Sequence, residues 1–161
     1  MDPVVASHSQ LLAIQSTLVN RALSSLNEEE TWTPPAAGAN SVGWLLGHIT
    51  WARNGLLTCL GGEPEAVPGA KLFERGAQVA DRSAYPDTAA IVQALKTVNQ
   101  KLKARMESIT DAELAAPSRV PTPSPDKTVR GVAAFLVFHD AYHVGQIGYA
   151  MKVLGKAGLV G

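Results

Sequence analysis

The sequence predicts an all-α protein, a four-helix bundle with a long crossover between its second and third helices. Three observations carry this reading. Apolar residues recur at steps of three and four in four separate stretches, and no stretch of more than a few residues alternates as a strand would. The connection between the second and third stretches, residues 61–86, is about 25 residues long. Antiparallel neighbours in a bundle are usually joined by roughly two to eight residues, so this link lets the third helix run parallel to the second.

The first helix is expected over residues 3–26. Val4, Leu11, Leu12, Ile14, Leu18, Val19, Ala22, Leu23 and Leu26 repeat at helical spacing, and Pro3 can occupy the first turn, where its missing N–H costs nothing. Asn27-Glu28-Glu29-Glu30 breaks the pattern and reads as a solvated loop, extended by Pro34-Pro35 and Gly38. The second helix spans 41–60, capped by Asn40 or Ser41 and stopped by Gly61-Gly62. The third spans 87–109, with Asp87 as cap and Ile91, Leu95, Val98, Leu102 and Met106 on one face. Thr110 and Glu113 have the spacing of a capping box and predict a short extra turn. Pro117 to Pro125, with four prolines, reads as a stiff extended strap. The fourth helix spans 128–154, ahead of Gly155.

Composition narrows the function classes. A chain of 161 residues suits a single domain, 1–161, with its own core. Fourteen basic and fourteen acidic residues cancel, so no global field draws the protein to nucleic acid or anionic lipid. The longest apolar runs, such as Gly131 to Phe138, fall far short of the roughly 18–20 residues of a membrane span. Asp2 and the absence of a basic lead into an apolar stretch argue against a secretory signal. One cysteine, Cys59, forms no intramolecular disulfide, and a reducing cytoplasm is the expected compartment.

The chemistry is carried by histidines. His139 and His143 lie four residues apart within an apolar stretch, just over one helical turn, so both rings project from one face and can reach one ion. His48 lies in an equally apolar stretch and shares its face with Trp44 and Trp51. It sits about 12 Å into the second helix, and His143 about 17 Å from the end of the fourth, which brings antiparallel neighbours to one level. A lone histidine among apolar residues is most often a hydrogen-bonded core residue. Three in one layer need partners that apolar surroundings do not offer, and a metal ion supplies one. Positions 140 and 141 are Asp and Ala, so the His-Glu-x-x-His pattern of a zinc protease, with its internal base, is missing. Asp140 points about 100° away from His139 and is expected beside the site or at the surface. His8, Cys59 and Gln146 are weaker candidates: a packing residue that is also the nearest spare ligand, a small buried hydrophobe, and a residue placed to orient a ligand ring.

Two segments, Ser41-Val-Gly-Trp-Leu-Leu-Gly-His48 and His139-Asp-Ala-Tyr-His143-Val-Gly-Gln-Ile147, resemble the DinB-like superfamily. That group includes damage-inducible-type proteins, bacillithiol transferases and mycothiol-dependent maleylpyruvate isomerase. The resemblance extends over nearly the whole chain in helix order and length. It implies a bundle with a crossover between helices 2 and 3, and a facial three-histidine metal site at His48, His139 and His143. It also implies a homodimer. Many relatives continue the last motif with arginine, where this chain has Val144, so no anion contact is expected from that position.

Three neutral imidazoles leave a divalent ion, with Zn or Ni expected, at full charge with open positions. A coordinated thiol becomes a thiolate and a coordinated water more acidic. That chemistry suits metal-assisted hydrolysis and thiol delivery alike, and the resemblance to thiol transferases implies the second: a metal-dependent thiol transferase joining a low-molecular-weight thiol to a small electrophile. A non-catalytic metal-binding stress-response protein is the alternative, and a metal hydrolase the third reading.

Overall fold

The structure, a computed structural model, describes residues 2–160; Met1 and Gly161 of the expected 1–161 domain lie outside the described residues. Four long helices form the bundle: α1 (Pro3–Ser25), α3 (Val42–Cys59), α5 (Thr88–Ser108) and α7 (Val129–Val153). Three short ones lie between them: α2 (Glu28–Trp32), α4 (Ala70–Phe73) and α6 (Asp111–Ala115). Each long helix lies within a residue or two of its expected bounds, because its ends carry local signals. The Asp2 carboxylate accepts from the Val4 and Val5 amides, and Ser41 and Thr128 accept from Trp44 and Gly131. Asp87 stands at the cap position of α5, but its side chain makes no capping hydrogen bond.

Two loops differ from expectation. Asn27-Glu28-Glu29-Glu30 does not simply break the first helix; it starts α2. Asn27 Oδ1 accepts from the Glu30 amide at 2.8 Å, and the Glu30 carboxylate accepts from the Asn27 amide at 3.0 Å. This is the same reciprocal box that starts α6 at Thr110 and Glu113. The Pro117–Pro125 strap is also not extended from end to end. Ser118 N–H donates to the Lys127 carbonyl at 2.8 Å and Val129 N–H to Ala116 at 2.9 Å, so the segment loops back and closes on itself.

Contacts at the helix ends give the directions. Asp2 pairs with Arg130, which joins the starts of α1 and α7. Arg105 Nε donates to the Leu60 carbonyl, joining the ends of α3 and α5. Lys156 pairs with Glu30, and Trp32 Nε1–H donates to Thr88, so the end of α7 and the start of α5 meet beside α2, which leads into α3. Hence α3 and α5 are parallel, as the long crossover allows, and α7 is antiparallel to α3. Helix α3 packs against α5 and α7, and α1 against α7 and more sparsely α5. Among the described residues no helix is long and apolar enough to cross a membrane.

The core has two apolar halves with a polar layer between them. One half gathers Val19, Ile49, Leu95 and Val144, and the other Leu12, Leu56, Leu102 and Val137. Between them, one from each helix, lie Ser16, Arg53, Asn99 and Asp140. Arg53 is 2% exposed and meets the Asp140 carboxylate with two parallel N–H···O bonds of 2.8 Å. Its Nη1 donates to Ser16 at 2.6 Å and Asn99 at 2.7 Å. With its amide nitrogen toward Asp140, Gln15 donates to the same carboxylate at 2.8 Å. A charge so buried is tolerable only when paired and hydrogen-bonded in this way.

Candidate metal centre

The histidine layer lies where α3 and α7 meet. His48 and His143 are buried and His139 is half-buried. His48 Nδ1 donates to the Phe73 carbonyl at 2.6 Å, which leaves its Nε2 as a bare lone pair facing α7. Trp44 and Trp51 stack on His48, with ring centroids at 4.9 and 5.4 Å. Trp44 Nε1–H in turn donates to the Leu72 carbonyl at 3.1 Å, so α4 is tied to α3 by two bonds. Gly47 makes the approach possible: a Cβ there would lie 2.4 Å from the ring of Phe73, itself fully buried.

On α7, His143 Nδ1 donates to Gln146 Oε1 at 2.7 Å, which likewise turns its Nε2 inward. His139 lies between the other two. Its Nε2 is 3.1 Å from that of His143 and 3.3 Å from that of His48, while its buried Nδ1 has no partner. The three donor atoms all lie within 4.8 Å of one another. Nitrogens bound to zinc at about 2.0–2.1 Å in a tetrahedron are about 3.3–3.4 Å apart, so the observed spacings are those of a ligand set. Two fixed lone pairs converging on a third ring are short of positive charge, and a cation meets that need. The residues fit a divalent metal on geometry and donor type alike.

Electrostatics favours the neutral, ligating form. Burial holds all three imidazoles below the usual histidine range. His139 is pushed down to about 4, by burial first and then by the charges of His143, His48 and Arg75, against the opposing effect of Asp140. Asp140 is not at the surface, one of the two places expected for it. It is 2% exposed, and its charge is taken up by Arg53. Phe135 and Tyr142 flank His139 and His143 with ring centroids at 6.1 and 5.1 Å.

The weaker candidates separate cleanly. Gln146 orients His143, as its position one turn on suggests. His8 remains beside Asp2 at the start of α1 and does not join the cluster, so it supplies no fourth ligand. Cys59 is half-buried near Ser118, and burial pushes its thiol up, which suits an inert packing residue. The sequence reading missed Phe73, whose contribution is a backbone carbonyl and leaves no mark in composition. A glycine inside an apolar helix, Gly47, was the one available hint of a close approach.

Fold and site together define a class: four-helix bundles with a crossover and a three-histidine cluster between the second and last long helices. Residues 11–147 match the model of the DinB superfamily, and the chain belongs to that superfamily. Among solved structures it is similar to YfiT from Bacillus subtilis, described as a probable metal-dependent hydrolase with an unusual four-helix bundle topology. The TM-score is 0.69 at 16% identity, over 95% of this chain and 89% of that one. No curated protein matches the chain.

Proposed function

We propose that the protein is a metal-dependent enzyme that activates a low-molecular-weight thiol toward a small electrophile, with His48, His139 and His143 holding one Zn or Ni ion. The observation that carries this is a convergent all-imidazole donor set with no free carboxylate beside it. An ion held there supplies Lewis acidity, lowering the pKa of a thiol or water that reaches its open side. The Phe73 carbonyl and the Gln146 amide hold His48 and His143 in the tautomer that points Nε2 inward. Trp44 and Trp51 give His48 an apolar wall. Asp140, bound by Arg53, is not available as a base. A thiol, with an ordinary pKa near 8.5, loses its proton to solvent more readily than water does, so a site without its own base suits thiol transfer better than hydrolysis.

Hydrolysis is the second reading, favoured by the description of YfiT and by the same open site. Metal-loaded protein incubated with a panel of thiols and a generic electrophile, and separately with activated esters and amides, distinguishes the two. Turnover dependent on thiol and absent from His139→Ala supports transfer. Ester or amide cleavage without thiol supports hydrolysis, and metal binding with neither leaves a metal-binding stress-response protein.

A homodimer goes with this reading. Leu11 and Ile14 on α1, and Phe138, Tyr142 and Tyr149 on α7, are exposed on two adjacent parallel helices. Leu18, Gly145, Gly148 and Tyr149 line a groove of about 500 Å³ between those helices. Exposed apolar side chains on one face, beside a groove, are what a two-fold interface would cover. The cytoplasm remains the compartment we favour, on the strength of one unpaired cysteine.

A further inference from the structure

The crossover that clamps His48 also carries a cation to the histidine layer. Immediately after Phe73 the chain makes a β-turn, Glu74-Arg75-Gly76-Ala77, closed by Ala77 N–H donating to the Glu74 carbonyl at 3.1 Å. Gly76 has φ 84°, the left-handed value that the third position of a type II turn demands. Arg75 therefore occupies the second position, at the corner of the turn. Its Cα lies at most about 7 Å along the chain from Phe73, whose carbonyl is 2.6 Å from the His48 ring. Its side chain is exposed.

Arg75 is also uncommitted. Arg21, Arg53, Arg82, Arg105 and Arg130 each donate to a carbonyl, hydroxyl, amide or carboxylate, and of the two that do not, Arg119 lies in the Pro117–Pro125 strap and only Arg75 follows the segment that clamps His48. Among the described residues Arg75 has no hydrogen-bond or ion-pair partner, and Glu74 next to it does not pair with it. Asp140, the carboxylate adjoining His139, is neutralised by Arg53. A divalent ion on three neutral imidazoles thus leaves the site with uncompensated positive charge, and Arg75, two residues from the Phe73 that clamps His48, is near enough for its charge to be felt at His139. The complement to that field is an anion, and a planar fork suits a carboxylate.

We propose that Arg75 is a specificity-determining residue and that the thiol the site accepts bears a carboxylate, sulfur toward the three histidines and carboxylate toward Arg75. This rests on the reading that His48, His139 and His143 hold a divalent ion. It adds a second anchor point and names the chemistry of the thiol's other end.

The test uses full-length protein loaded with Co(II), whose visible spectrum reports a ligand entering the coordination sphere. Wild type, Arg75→Gln, Arg75→Lys and Arg75→Glu are each titrated with ω-mercaptocarboxylates of increasing length, with 2-mercaptoethanol and with cysteamine. Arg75 is exposed in a turn, so all four proteins should fold and bind one cobalt. In wild type the best mercaptocarboxylate should bind about five-fold tighter than 2-mercaptoethanol. Arg75→Gln should abolish that preference, Arg75→Lys should retain part of it, and Arg75→Glu should turn it toward cysteamine. Equal affinities in wild type, or a preference that survives in Arg75→Gln, overturns the role of Arg75 while leaving the metal site standing. Failure of wild type to bind cobalt overturns the metal reading and this proposal with it.

Discussion

The three imidazoles are not equivalent. His48 and His143 each have an outer nitrogen committed to an acceptor, whereas His139 has none for its Nδ1 and is the most strongly depressed. Replacing His143 by Ala should abolish stoichiometric metal binding, read by elemental analysis of freshly purified protein. An unchanged metal content in the triple-Ala variant would show that the site does not exist. A pH effect follows as well. Between about 6.5, the ordinary value, and about 4, the unfolded chain carries a proton on His139 that the folded, metal-free chain does not. The unfolded state binds more protons in that window, so stability falls as the pH drops through it. Urea midpoints of metal-free protein should therefore decrease from pH 7 to pH 5, less steeply in His139→Gln. Removing Asp140 leaves Arg53 buried and unpaired, and Asp140→Ala should cost about 3–5 kcal/mol in the same assay.

At the scale of the element, α4 is the piece that turns a histidine on a helix into an oriented ligand. Only four residues long, it cannot be stable alone. It is held by the Phe73 ring against Gly47 and by two carbonyls accepting from His48 and Trp44. Helix propensity alone would favour Gly47→Ala by about 1 kcal/mol. The 2.4 Å approach to a fully buried ring reverses that sign. Gly47→Ala should push α4 away, free His48 to rotate and weaken metal binding about 10- to 100-fold. Competition with a chromophoric chelator measures the loss, and an unchanged affinity would mean that the Phe73 carbonyl does not matter to the site.

For the whole molecule, the proposed metal and the proposed partner would both act through linkage. An ion that binds only the folded state at about 100 times its Kd adds about 2.7 kcal/mol, or roughly 5–10 °C in Tm for a chain of this size. A chelator should reverse the shift, and the triple-Ala variant should not show it. Sedimentation should give a species of twice the monomer mass. Tyr149→Glu, which places a charge on the exposed α1/α7 face, should return the protein to monomer without loss of helicity. A wild type found only at monomer mass removes the homodimer.

Periodicity and caps, both local properties, were enough to place the four long helices and to align His48 with His139 and His143. An i, i+4 pair and a depth along a helix survive folding unchanged, because a helix converts sequence spacing directly into distance. The length of the 61–86 link pointed to a parallel α3 and α5, since a chain of that length can return to the start of a neighbouring helix. Other features depended on contacts between residues distant in sequence. Asp140 became a buried partner of Arg53, 87 positions away, because both helices bring a polar residue to the layer between two apolar halves. His48 acquired its acceptor from a backbone carbonyl, which every residue has and no composition reveals. The Glu28-Glu29-Glu30 run became a helix because the side-chain oxygen and the backbone N–H of Asn27 closed a reciprocal box with Glu30. Tertiary packing alone chose the partners in each pair, and those partners set the tautomers and charges of the histidine layer.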